Sequence, residues 1–383
     1  MNNSLKLVMA VFNPIQFDGR VKRAAETLST DFDITLLSPP TSREESTGLP
    51  EKINLQRGWL LWKRWPTGVT LAAFWFQLLY IILSKRPKVI YVHDFYLPFP
   101  GLLAAKLVRA KCIYDAHELI IPCAGVPMSL RDTVYYRLER ISASNFDLVI
   151  AANPERAVLM QEHYNLKTEP LSVLNISKPT TGSVSKGDLL ERFPALRKRV
   201  GERIVVYMGD IALARGLGTL IAAFDRLSEN IRLVVVGDGP DRISLQQKYL
   251  EKDIYRIQFL GAVPQLWIQD ILSLCDLGVL IYSMQGLNNY YCSPNKIFEY
   301  TQADIPVVAT AQPPLVSMIK AFEIGAIAGR EGVAAEADDF VSAIIEVLDR
   351  YEFYQLHISA FVDEHKMTTE QQKLRSAATG LCK

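Results

Sequence analysis

The feature that most constrains this chain is a rhythm that runs twice. In the first half, short apolar runs alternate with amphipathic helical patterns. KLVMAVF, DITLLSP, KVIYVHD, KCIYDAH and DLVIAAN read as strands, and GRVKRAAETLS places Val21, Ala24, Ala25 and Leu28 at helical spacing. Strands that are apolar throughout are buried on both faces, which calls for a parallel sheet covered by helices above and below. Residues 178–200, KPTTGSVSKGDLLERFPALRKRV, break the rhythm, and their start reads as a linker. A second series follows. RIVVYMGD, IRLVVVGDG, IQFLG, LGVLIY and PVVAT are its strands, with LGTLIAAFDRL, ISLQQKYLEK, LWIQDILSLC and NKIFEYTQA as helices.

The expected architecture is therefore α/β, with two Rossmann-like, doubly wound parallel-sheet domains facing a central cleft. The first spans 1–178 and the second 179–364, and the polar helical tail, about 365–383, packs back on the first. A length of 383 residues is too great for one core and suits two. With 49% hydrophobic and 22% charged residues, a packed globular chain is expected. The net charge of +1 carries no global bias towards nucleic acid. Cys112, Cys123, Cys275, Cys292 and Cys382 are scattered and form no CxxC pair, which argues against a disulfide framework or zinc site and fits a reducing compartment. The opening MNNSLKLVMAVFNP lacks the regions of a secretory signal and reads as a first buried strand, Leu5 to Phe12. The most apolar stretch, Val69 to Leu83, is shorter than the roughly twenty residues that span a bilayer, so a core or interfacial helix is expected.

In open parallel sheets, ligands bind beyond the carboxyl ends of the strands. After the first strand comes NPIQFDGRVKR, where Gly19 lets backbone approach a ligand and Arg20 and Arg23 stand at a helix start. DAHEL places Asp115, His117 and Glu118 at a strand end. In the second half, GDIALARG carries Arg215, GDGP spans Gly237 to Pro240 with Gly237 and Gly239, and SPNKIFEY sets Asn295, Lys296 and Glu299 at a helix start. Taken singly, each has a bland reading: a tight turn, a solvated helix-start cation, a surface histidine, a simple helix pair at i, i+3. Two cations, a helix amino end and a carboxylate on one domain are what a nucleoside diphosphate needs. The Asp31-Phe32-Asp33 triplet precedes a strand and reads as a helix-to-strand turn, not as a metal-holding acidic pair, and with Arg215 and Lys296 available no metal is expected.

The order DGRVKRAAETLS, HDFYLP, DAHEL, YMGDIALARGLGTLIAAF, VVVGDGP, FLGAVP and SPNKIFEYTQADIPVVAT resembles glycosyltransferase family 4, over residues 5 to 310. That resemblance implies a GT-B fold and a retaining transfer from a nucleotide-diphosphate sugar, a UDP-sugar by preference, with no cofactor. It makes His117, Arg215 and Lys296 the candidate catalytic residues. Gly19, Arg215, Gly237, Gly239, Val263, Asn295, Lys296 and Glu299 become the candidate donor contacts. Glu299 matches the second glutamate of the family's pair, which holds the donor ribose, and Arg215 its basic residue before glycine. The chain departs from the pattern at Tyr291 (the first glutamate), at Asp210 (an arginine facing the diphosphate) and at Asp304 (a glycine). The rivals are a sugar-nucleotide epimerase, which would need no acceptor, and a non-catalytic binding protein.

One segment sets the acceptor apart. From Lys52 to Lys111 there are ten basic residues and the single acid Asp94, in a chain whose net charge is +1. Inside it lies GWLLWKRWPTGVTLAAFWFQLLYIIL, with Trp59, Trp62, Trp65, Phe74, Trp75 and Phe76 beside Lys63 and Arg64. Tryptophan beside Lys and Arg is the composition of a membrane-surface segment. The expected partners are a nucleotide-sugar donor, a membrane-associated glycolipid or glycan acceptor and an anionic membrane surface, with no nucleic acid. The expected place is the cytoplasm, peripherally on the inner face of the membrane.

Overall fold

The computed structural model describes residues 5–40, 48–60, 67–180, 182–250, 256–292 and 294–383, the side chains of Phe17, Tyr249 and Leu250 apart. The chain divides into two compact units, Met1–Asn175 with Met367–Lys383, and Ile176–Lys366.

The first unit holds β1 (Leu5–Val11), α1 (Gly19–Leu28), β2 (Phe32–Ser38), β3 (Asn54–Arg57), α2 (Thr67–Lys85), β4 (Val89–His93), α3 (Pro98–Val108), β5 (Lys111–Ala116), α4 (Leu130–Ala143), β6 (Leu148–Ala151), α5 (Pro154–Tyr164) and β7 (Leu171–Ser172). Among the described residues its strands form one sheet, ordered β3-β2-β1-β4-β5-β6-β7 and parallel throughout. Side-chain alternation assigns the layers. Ala10, Val92 and Tyr114 stand in register on one face. A Cβ on Gly101 of α3 would lie 2.5 Å from Val92, and the Tyr114 hydroxyl donates to Glu139 of α4 at 2.5 Å. Phe12 meets Phe74 of α2 edge-on at 5.2 Å, and α2 packs beside α3. The opposite face, with Met9, Tyr91 and Ile113, is covered by Val21, Ala25 and Leu28 of α1.

Helix α2 is longer than its fifteen-residue apolar run implies. Its 19 residues, of mean hydropathy 1.6, are long and apolar enough to cross a membrane. Yet Leu71, Phe74, Leu78 and Ile82 are buried in the unit. Buried Gln77 accepts from the Trp59 amide at 2.9 Å and donates to the Arg57 carbonyl at 2.8 Å. One side of α2 is thus the core of an α/β layer. Trp62, Lys63, Arg64 and Trp65 lie outside the described residues.

The second unit holds α6 (Lys186–Arg192), β8 (Arg203–Met208), α7 (Leu217–Phe224), β9 (Ile231–Val236), α8 (Arg242–Leu250), β10 (Ile257–Gly261), α9 (Ile268–Leu272), β11 (Leu277–Leu280), α10 (Leu287–Tyr290), α11 (Lys296–Gln302), β12 (Val307–Thr310), α12 (Pro313–Phe322), β13 (Gly325–Ala328), α13 (Ala337–Asp349) and α14 (Tyr351–Glu364). Its parallel sheet runs β10-β9-β8-β11-β12-β13. Tyr300 of α11 locks the middle of this sheet. Its ring occupies the space a Cβ on Gly278 would need, at 2.4 Å, and its hydroxyl accepts from the Met208 amide at 3.0 Å.

The chain then returns to the first unit as α15 (Met367–Gly380), whose Leu374 and Ala378 join the α1 layer. Arg375 donates to Asp31 at 2.6 and 2.9 Å, and Glu370 accepts from the Leu174 amide at 2.8 Å. Asp31, one acid of the Asp-x-Asp triplet, is therefore engaged by the returning helix. Within 178–200, after the start read as a linker, the chain forms α6, capped by Ser185.

Candidate functional site

Strand order reverses between β8 and β11 in the second unit, and between β1 and β4 in the first. Such reversals leave a crevice outside the strand ends, where two loops run apart.

In the second unit a cavity of ≈ 90 Å³ opens at the reversal, lined by the ends of β8 and β11 together with Asp210, Arg215, Asn295 and Lys296. Arg215 sits in a short turn closed by Gly216, and its Nε donates to Asp210 Oδ2 at 3.1 Å. Both side chains are partly exposed, so the pair is weakly bound and Arg215 can turn to an anion. Asp210, which stands where the family often has an arginine, thus holds Arg215 at the cavity. Lys296 Nζ lies 2.6 Å from Glu299 Oε2, and Asn295 Nδ2 donates to Glu299 Oε1 at 3.2 Å. Glu299 is only 2% exposed and is not among the lining residues. A carboxylate offers about four lone-pair positions, so its two bonds leave acceptor capacity.

The GDGP turn has a structural reason of its own. Gly237 has φ +135°, and a Cβ there would stand 1.9 Å from the Gly209 carbonyl oxygen. A Cβ on Gly239 would stand 2.4 Å from the Ile211 carbonyl oxygen. The two loops are laid together by the Ile211 amide donating to Asp238 O at 2.9 Å. Both glycines let the loop after β9 lie against the loop after β8, and neither is among the lining residues. Val263 is half-buried in the loop after β10 and is not among the lining residues. Asp304 takes φ +60°, a left-handed turn, which is the physical reason a glycine suits that position.

In the first unit the strand ends bring His93, Asp115 and His117 together. Parallel register sets His93 opposite Asp115, and His93 Nδ1 lies 3.1 Å from His117 Nε2. Asp115 is buried and accepts from Arg20 Nη2 at 2.7 Å, from Arg20 Nε at 3.1 Å and from the Tyr91 hydroxyl at 2.9 Å. Burial pushes the Asp115 carboxyl up, but Arg20, followed by His93 and His117, more than reverses this and holds it far below the usual carboxylate range. Burial pushes His117 down to about 4, against the pull of Asp115, so the imidazole is neutral at pH 7. Asp18 caps α1 by accepting from the Val21 amide at 3.1 Å and lies 3.9 Å from His117 Nδ1. Gly19 follows it as the first residue of α1, and Glu118 is exposed.

Arg20 corrects one expectation. It stands at a helix start but is committed to Asp115 and to the Val173 carbonyl at 2.8 Å, and Arg23 donates to Asn175. Neither is a spare cation waiting for an anion. His93 was missed by sequence reasoning, although a histidine ending an otherwise apolar strand beside DAH was the available signal. Three ligand-type atoms of His93, Asp115 and His117 lie within 4.8 Å of one another. The Arg20 guanidinium on the same carboxylate places a positive charge against any cation there.

The chain matches two family descriptions, "Glycosyl transferase 4-like domain" over residues 20–175 and "Glycosyl transferases group 1" over 202–350. It is 26% identical over 181 residues to TuaC of Bacillus subtilis (strain 168), a glycosyltransferase named for teichuronic acid biosynthesis; the match covers 46% of this chain and 41% of that protein. The matched stretches span about half the length of the curated relatives. Among solved structures, sucrose-phosphate synthase from Thermosynechococcus elongatus superposes with a TM-score of 0.75 at 15% identity, covering 99% of each chain. HepE of Anabaena, solved in complex with UDP-glucose, gives 0.72 at 15% identity, covering 98% of this chain and 100% of that one. With both sheets reversing as the GT-B fold requires, and with the two family descriptions falling one on each unit, the chain belongs to the family 4 type of GT-B glycosyltransferases.

Proposed function

We propose that this protein is a retaining glycosyltransferase. It moves a sugar from a nucleoside-diphosphate sugar, a UDP-sugar by preference, to a lipid-linked glycan acceptor at an anionic membrane surface. The observation that carries the reading is the cavity at the β8/β11 reversal, where Arg215 and Lys296 share one small space with Asn295. A diphosphate leaving the anomeric carbon develops charge, and the two cations at the cavity stabilise it. The bond between the anomeric carbon and the diphosphate oxygen breaks, an oxocarbenium-like centre forms, and the acceptor hydroxyl adds on the same face. Its proton passes to the departing diphosphate. Glu299 uses its remaining acceptor positions for the donor ribose hydroxyls, and with two cations in place the scheme requires no metal. His117, neutral at pH 7, serves as a hydrogen-bonding group for the sugar.

The UDP-glucose bound by HepE supports the donor class, and the teichuronic acid role in TuaC's name supports a cell-surface polysaccharide pathway. Incubating the purified protein with labelled nucleotide-sugars and a bacterial lipid extract tests the reading. Label transferred to lipid is the expected result. An epimerised nucleotide-sugar, or no turnover with any donor, would overturn it.

A further inference from the structure

The first unit has an outer surface that none of this chemistry uses. Helices α2, α3 and α4 lie side by side on one face of its sheet. Each buries one side against the strands, and each turns large apolar side chains to the solvent. On α2, Val69, Phe76, Tyr80 and Leu83 recur at helical spacing on the outward side, with Phe76 70% and Tyr80 65% exposed. On α3 the outward residues are Phe99, Leu103 and Leu107, and on α4 they are Leu130, Val134 and Ile141. Trp75 and Phe99 rings, 6.5 Å apart, bridge the first two helices. Scattered apolar residues are ordinary on a protein surface, but an apolar stripe on each of three adjacent helices forms a patch that calls for a partner.

The charges identify that partner. The three are crossover helices of one parallel sheet, so they run in the same direction. Their carboxyl ends gather Lys85, Arg86, Lys106, Arg109 and Arg140 along one edge, all exposed. Arg137 stands within the α4 stripe. Among the described residues of these helices, the acids are Asp132, bonded to Ser129 and Arg131, and Glu139, buried beneath α4. A second copy would bring the same cations and, from these helices, no exposed carboxylate that is not already engaged to meet them. A surface with an apolar centre and a cationic edge matches a bilayer interface carrying anionic headgroups.

We propose that the outer face of α2, α3 and α4 docks the protein on an anionic lipid bilayer, with the three helices lying flat in the interface. The membrane-surface acceptor of the proposed function supplies the purpose of this docking; the surface itself is argued from exposure and charge. It places the contact on described helices, whereas the sequence expectation centred on the tryptophans near residue 60.

The test is co-sedimentation of the full chain with phosphatidylcholine vesicles that contain or lack phosphatidylglycerol. One variant combines Phe76→Ser, Tyr80→Ser and Leu103→Ser, and a second combines Lys85→Glu, Lys106→Glu, Arg137→Glu and Arg140→Glu. The wild type is expected on the anionic vesicles at low salt, with release as salt rises. Each variant should lose about tenfold or more of that partitioning. Melting temperature and UDP affinity, measured in solution, should not change. Variants that bind like the wild type, equal binding to neutral vesicles, or a wild-type dimer that the variants dissolve would each overturn the proposal. Docking without transfer to lipid extract would instead sink the proposed function and leave the surface standing.

Discussion

Glu299→Gln is the substitution whose outcome says most about the donor site. It keeps the shape of the side chain and removes its charge. In the folded unit Glu299 is 2% exposed and faces Lys296 at 2.6 Å. Breaking a buried ion pair by removing one partner costs about 3–5 kcal/mol, because the remaining charge is stranded. Lys296 borders the cavity and is 19% exposed, so water can reach it and the lower end applies. At roughly 2–4 °C per kcal/mol for a unit of this size, melting should fall by about 6–12 °C. The effect on ligands separates two roles. If Glu299 accepts the ribose hydroxyls, a charge-assisted contact worth about 1.5–3 kcal/mol disappears, and UDP binding weakens by about ten- to a hundredfold. Pyrophosphate, which has no ribose, should then bind as before or better, because Lys296 is released. Calorimetric titration with UDP and with pyrophosphate, below the lowered melting temperature, reads both. If the two affinities fall together, Glu299 acts only by holding Lys296, and the ribose argument is wrong.

Arg215→Ala, at unchanged stability, and Lys296→Ala, at a melting temperature lowered by the stranded Glu299 carboxylate, should each lower turnover by about a hundredfold or more, and EDTA should leave the wild type active; a loss restored by magnesium or manganese would show that a metal carries the diphosphate. His117→Asn should lower turnover while making stability less sensitive to acid. With His117 depressed to about 4 when folded, its contribution is complete above the unfolded value near 6.5 and is lost as pH falls towards 4, so thermal melts from pH 7 to 4 should converge on a flatter curve for the variant. Glu139 runs the other way. Burial pushes it up to about 7, with the Tyr114 and Tyr164 hydroxyls opposing, so its contribution is full below about 4.5 and is lost as pH rises through 7. Glu139→Gln should therefore gain stability relative to the wild type between pH 4.5 and 8, and a pH-independent difference would refute the assignment.

Much of this was legible in order along the chain. Apolar runs of strand length announced two parallel sheets, because a strand buried on both faces cannot alternate. PNKIFEY and ALARG announced Lys296, Glu299 and Arg215, because residues at i and i+3 on a helix share a face whatever the rest of the fold does. Asp304 was visible as a departure from glycine, and its φ of +60° gives the reason that position prefers one.

What required tertiary structure was partnership across sequence distance. Arg20 read as an anion-binding cation at a helix start, until Asp115, 95 residues away, turned out to hold it. His93 drew no notice until parallel register set it beside Asp115 and within 3.1 Å of His117. The glycines of GDGP read as ligand contacts, yet the backbone of Gly209 and Ile211 already leaves no room for a Cβ at either. The membrane signal was read from a run of tryptophans and lysines, whereas the docking surface proposed above draws on three helices, from Val69 of α2 to Ile141 of α4. Periodicity fixes which side of a helix is apolar and cannot say whether that side is covered. Only the packing of α2, α3 and α4 onto one sheet decided which of their apolar residues became core and which were left facing outward.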